Sequence, residues 1–123
     1  MKIMTLLAGL LVGLLGCTHP IILVGPRPGP YIPEIEYWYK LGTSAEQRVQ
    51  DSIDCKGNEK GLPIEDRANL EAAMMPGEED TKLARRRLFH NLERCMLSKG
   101  YQYIGECYLD DFVSRARPAC GAP

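Results

Sequence analysis

The chain has only two histidines, no C-x-x-C pair, no glycine-rich phosphate loop and no Ser-His-Asp order. The first two absences remove the close Cys/His spacing of a zinc site, and the others remove the phosphate-loop and serine-hydrolase signatures. A surplus of charge is missing as well: the formal net charge of -1 provides no field that would gather nucleic acid. No apolar run reaches the length of about 20 residues that a membrane-spanning helix requires. At 123 residues the chain has room for one domain near the lower end of independent folding, which rules out a large enzyme core. What it has in excess is cysteine, five in all. Their meaning depends on compartment, because oxidising space favours disulfides and the cytosol favours metals or reactive thiols.

The N-terminus decides the compartment. Lys2 supplies a positive charge and Ile3 to Leu15 is almost wholly apolar, with only Thr5 polar, which is the pattern of a signal-peptide core. The run ends at Leu14-Leu15-Gly16-Cys17. This resembles the lipobox of bacterial lipoproteins. The resemblance implies that residues 1–16 are removed, that the Cys17 sulfur carries diacylglycerol, and that its freed amine takes an acyl chain such as palmitate. Each buried methylene adds about 0.8 kcal/mol and stable anchoring needs more than one chain, so two or three acyl chains suffice. With Cys17 alkylated, four thiols remain, an even number suited to two disulfides. By the sorting rule of that family, Thr18 lacks the retaining aspartate, which implies the outer membrane. A periplasmic orientation is the first expectation, and the cell surface stays open.

From Thr18 to Pro33 the chain carries prolines at 20, 26, 28, 30 and 33 and shows no helical period, so residues 17–36 are expected to be a lipidated tether. Sixteen proline-rich residues can extend by roughly 50 Å. Ile21-Ile22-Leu23-Val24 reads as a sticky stretch of that tether before it reads as an edge strand. Glu34 to Lys40 alternates enough to suggest a short extended segment. It holds the only tryptophan, between two tyrosines. Trp38 reads first as the lid of a small core and second, with Tyr37 and Tyr39, as a partner-binding hot spot.

Residues 37–123 are expected to form a mainly α-helical domain. Thr43-Ser44-Ala45-Glu46 has the form of a capping box and Gly57 that of a terminator, predicting a helix over about 44–56 with Ala45, Val49, Ser52 and Ile53 inward. Arg48, Gln50, Asp51 and Asp54 are expected to face solvent. Pro63 can open a second helix through Met75 before Pro76-Gly77 breaks it. A third helix over about 81–98 has acidic residues at its start, Lys99-Gly100 at its end, and Leu88, Leu92, Cys95 and Met96 at helical spacing. Tyr101 to Ile104 alternates like a short strand, and Leu109 to Arg117 has room for one or two last turns.

Trp38-Tyr39-Lys40-Leu41-Gly42-Thr43, Asp51-Ser52-Ile53-Asp54-Cys55 and Cys95-Met96-Leu97-Ser98-Lys99-Gly100-Tyr101 resemble a recurrent pattern in small, uncharacterised bacterial lipoproteins. In that resemblance Cys55 pairs with Cys95 and Cys107 with Cys120. The spacing of the cysteines leaves the other two connectivities open. On the chain-entropy model the longer loop contributes about 4 kcal/mol and the shorter about 3 kcal/mol. Those sums rival the whole stability of an ordinary domain, about 5 to 15 kcal/mol, and mark the cysteines as structural.

Catalytic sets are not found. His90 and Cys95 sit about 140° apart around a helix, so they cannot work as base and nucleophile, and His90 is expected to be solvated. Asp110-Asp111 reads as a turn or helix cap, and Arg85-Arg86-Arg87 as a solvated face before a contact for lipid phosphates or peptidoglycan carboxylates. The expectation is therefore a binding module: an accessory subunit of an envelope assembly, or alternatively an inhibitor or exclusion factor that uses its 105–120 loop. No cofactor besides the Cys17 lipid, no metal, no nucleic acid and no enzymatic activity is expected.

Overall fold

The computed structural model describes residues 30–123, so the expected leader, Cys17 and residues 18–29 of the expected tether lie outside the described residues. The domain is mainly helical. A 3-10 turn at Glu34–Tyr37 leads into strand β1, Trp38–Tyr39, followed by α1, Ala45–Asp54, and α2, Arg67–Ala72. Then come α3, Thr81–Ser98, strand β2, Gln102–Tyr103, α4, Phe112–Arg115, and a closing 3-10 turn at Pro118–Cys120. Among the described residues no helix is long and apolar enough to cross a membrane.

α3 is the spine, and its limits are those its caps dictate. Asp80 accepts hydrogen bonds from the backbone N–H groups of Lys82 (2.9 Å) and Leu83 (3.1 Å), and Gly100 takes the left-handed conformation after the last turn. Leu92 and Met96 point into the core, which they form with Ile35, Trp38, Cys55 and Tyr101. Ala84 and Leu70 are buried where α2 crosses the first half of α3. β1 and β2 pair antiparallel, Trp38 with Tyr103 and Tyr39 with Gln102, and the Ile104 N–H extends the ladder to the Tyr37 carbonyl (2.7 Å). The aromatic segment is thereby clamped to the end of α3.

Several local expectations shift. Glu34–Tyr37 is a 3-10 turn rather than extended chain, because Ile35 must turn inward, where its N–H reaches the Lys60 carbonyl (2.9 Å). α1 is capped one residue later than expected: Ser44 accepts from the Gln47 N–H (3.1 Å), so Ser44-x-x-Gln47 is the working pair. Its inward face is also rotated. Asp51 and Ser52 are buried, while Ile53 and Ala45 are exposed. The cause is Cys55, whose bond to Cys95 fixes that edge of the helix against α3. α2 begins at Asp66, which caps Asn69 N–H (2.9 Å), and not at Pro63. Gly57 does not supply the left-handed turn after α1; Lys56 does, with φ 68°. Gly57 is needed for closeness instead, since a Cβ there would lie 2.6 Å from Ser52 Oγ and 3.0 Å from both methyls of Leu92.

Two disulfides hold the whole. Cys55–Cys95 ties the end of α1 to α3 across 40 residues, and Cys107–Cys120 closes a 13-residue loop at the C-terminus. Replacing Cys55 and Cys95 together by alanine is expected to cost up to about 4 kcal/mol, against about 3 kcal/mol for the Cys107 and Cys120 pair. Urea denaturation of the two double variants checks the order, and a larger loss from the second pair would contradict it.

Candidate functional site

Where α4 returns toward the middle of α3, the two helices leave a groove of about 340 Å³. Its position follows from local chemistry. Asp111 caps α4 by accepting from the Ser114 N–H (3.0 Å), so one member of the acidic pair takes the expected role of a helix cap. Cys120 then returns the chain to Cys107, and Arg117 and Ala119 dock on Glu93 of α3.

That docking is an ion cluster set in the interior. Glu93 is 1% exposed, accepts from Arg117 Nε (2.8 Å) and Nη2 (2.6 Å), and accepts the Ala119 N–H at 3.1 Å. Arg117 Nη2 also meets Glu34 at 2.6 Å. The guanidinium lies over the rings of Tyr103 (4.8 Å) and Phe89 (5.0 Å). Burial by itself would lower the Arg117 pKa, but the charge and hydrogen bonds of Glu93, with Glu34, overcome it and raise it. Burial pushes the Glu93 carboxyl up against the pull of the Ala119 N–H and Arg117. Sequence reasoning missed both residues. The available signal was a carboxylate placed one residue after Leu92 on the inward stripe of α3.

The groove in front of Arg117 has an apolar floor and a basic rim. Phe89 and Val113 belong to the floor and walls, and Lys82, Arg86 and His90 follow one another at i, i+4 and i+8 along α3. No carboxylate lines it. His90 is half-buried here rather than solvated; burial lowers its pKa first, and Arg94, Arg86 and Arg117 lower it further. The Arg85-Arg86-Arg87 run is likewise not one uniform solvated face. Arg87 is held by Glu78 (2.6 Å) and the Ala73 carbonyl (2.7 Å), Arg85 reaches Glu65 (3.3 Å), and Arg86 faces the groove.

Beside the groove the stapled loop presents apolar side chains to solvent: Leu109 is 77% exposed, Phe112 68% and Val113 57%, with Tyr108 and Ile104 also exposed. The aromatic segment is disposed differently. Trp38 is 1% exposed, with its ring against Tyr103 at 5.3 Å, so it takes the first of its two expected roles, that of a core residue, and leaves its side chain little surface for a partner. Tyr37 is half-buried and packs near Tyr103, and Tyr39 alone of the three is well exposed. Among the described residues no group of three His, Cys, Asp or Glu is placed to hold a metal ion.

A second polar cluster joins α1 to the end of α3. Tyr101 Oη donates to Asp51 Oδ2 (2.7 Å), while Lys99 Nζ (3.2 Å) and Gln47 Nε2 (3.3 Å) donate to Oδ1. The Tyr101 bond is the main cause of a lowered Asp51 pKa, acting against burial, and Lys99 and Gln47 add to it. Burial and Asp51 raise the Tyr101 phenol to about 12.

Two outcomes follow. Arg117→Met strands Glu93 in the interior and is expected to cost about 3 to 5 kcal/mol in urea denaturation, part of which Glu93→Leu in the same chain restores. A loss near zero would remove Arg117 from the fold's supports. For Asp51, a lowered folded pKa means a contribution complete above the ordinary carboxylate value of about 3.9 and lost as pH falls through the lowered one. For Tyr101 the contribution is complete below the ordinary phenol value of about 10 and lost as pH rises through about 12. Thermal melts across pH are therefore expected to carry an acid limb that is shallower in Asp51→Asn than in the unaltered protein; an equally steep limb in that variant would refute the assignment. No family model, no curated protein and no solved structure matches the chain.

Proposed function

We infer that the protein is a lipid-anchored envelope lipoprotein that works by binding a protein partner rather than by catalysis. Its Cys17 carries the acyl chains, its proline-rich tether holds the domain off the outer membrane, and the domain serves as an accessory subunit of an envelope assembly. The observation that carries the reading is the stapled C-terminal loop, where Tyr108, Leu109, Phe112 and Val113 stand exposed within six residues. An apolar cluster of this kind costs solubility and marks a contact surface when the chain around it is held rigid. Here a disulfide holds it, so little conformational freedom is lost when a partner covers it. The docking surface thus moves from the Trp38 segment to the loop.

Crosslinking in intact cells, followed by identification of the captured protein, tests this. With Tyr108→Ser and Leu109→Asp the captured partner is expected to disappear while the far-UV circular dichroism stays unchanged. With Cys17→Ser the protein is expected to leave the membrane fraction. Capture that persists in the loop variants would reject the loop as the docking surface, and a membrane-bound Cys17→Ser protein would reject the anchor. If the captured partner is a peptidoglycan hydrolase slowed by the purified protein, the binding module is an inhibitor.

A further inference from the structure

We propose that the groove between α3 and α4 is a binding site for a single-chain anionic amphiphile, with its acid head on the Lys82–Arg86 side and its acyl chain over Phe89, Phe112 and Val113. The site shares Phe112 and Val113 with the loop surface described above but goes beyond it, because the cations it uses, Lys82 and Arg86, lie on α3 and neither Tyr108 nor Leu109 lines it.

The first argument is shape and polarity. A groove of about 340 Å³ falls at the small end of the range for ligand pockets, about 300 to 1,000 Å³, which suits one chain rather than two. Its floor is held in place from behind, since the Arg117 guanidinium stacks 5.0 Å from the Phe89 ring and is itself fixed by Glu93 and Glu34.

The second argument is unspent charge. Of the basic groups around the groove, Arg117 is neutralised by Glu93 and Glu34, and Arg85 reaches Glu65. Lys82 and Arg86 make no ion pair among the described residues. They stand one helical turn apart on the same row, above an apolar wall that concentrates their field. Lys82 also lies in the first turn of α3, where the helix dipole already favours an anion and disfavours a cation. An acid head between the two would relieve that repulsion.

The third argument disposes of the nearest rival occupant. The tether, Thr18 to Pro33, has apolar residues enough to fill the groove, but it carries no aspartate or glutamate and does carry Arg27. Its charge is of the wrong sign for this rim.

The test uses the full chain in phosphatidylcholine nanodiscs and a dodecanoate bearing a diazirine on its alkyl chain, followed by mapping of the photolabel by mass spectrometry. Labelling is expected on peptides holding Phe89 or the 112–113 pair, competed by dodecanoate and not by dodecyltrimethylammonium. In Arg86→Glu and in Lys82→Glu it should fall about tenfold, the effect of replacing an attractive rim charge by a repulsive one. The His90 ring resonances should shift on dodecanoate addition in the unaltered protein. The proposal is overturned by label elsewhere, by equal labelling with a cationic diazirine amphiphile, or by label undiminished in both variants with circular dichroism unchanged. Crosslinks between two copies across the groove, with the probe excluded, would overturn it too, by assigning the groove to a second copy of the chain. Failure on any of these leaves the loop's partner untouched, since that reading is probed at Tyr108 and Leu109.

Discussion

A carboxylate buried in the middle of a helix must have a cation beside it, and Glu93 is such a carboxylate. Its partner, Arg117, comes from the far end of the chain and also meets Glu34 from the near end. One guanidinium therefore gathers the entry turn, the spine helix and the C-terminal arm at a single point. Remove it and Glu93 has no counter-charge, Phe89 and Tyr103 lose the planar group they share, and the Ala119 N–H alone remains on the carboxylate. The geometry of the α3–α4 groove is a consequence of this pairing, because the residues before Arg117 have to approach α3 for the contact to form.

The rest of the stability comes from chain restraint more than from apolar mass. Six buried residues, Trp38 among them, make the core cluster, a small apolar centre for some ninety described residues. Cys55–Cys95 fixes α1 on α3, and the Asp51–Tyr101–Lys99 bonds sit beside that link and satisfy the polar groups it draws inward. Cys107–Cys120 does the same for the arm that Arg117 anchors. Covalent and ionic ties thus act at the same two junctions.

Such an arrangement explains where a partner surface can be. Trp38 cannot be spared from the core, and Tyr37 is half committed to Tyr103. The stapled arm has no comparable duty on its outer side, so Tyr108 and Leu109 remain open. On its inner side it walls a groove whose opposite rim is basic. One arm consequently offers two different chemistries, an apolar outer surface and an amphiphilic inner one.

Residue order alone determined the features that depend on near neighbours. The limits of α3 follow from Asp80 and Gly100, the short strand after Tyr101 from alternation, and the cap of α4 from Asp111, because caps, turns and periodicity act within a few residues. The mainly helical class follows from the same signals. What only the tertiary structure decided depends on groups brought together across long stretches of chain. The rotation of α1 that buries Asp51 and exposes Ile53 is set by Cys95, 40 residues on. Which groups cover Trp38, namely Tyr103 and α3, is set the same way, and the basic groove forms where Glu93 meets Arg117, 24 residues later, with Glu34 completing the cluster from 83 residues away. Ion pairing and packing are blind to separation along the chain, so a local pattern can mark Glu93 as a carboxylate on an inward stripe but cannot name its partner.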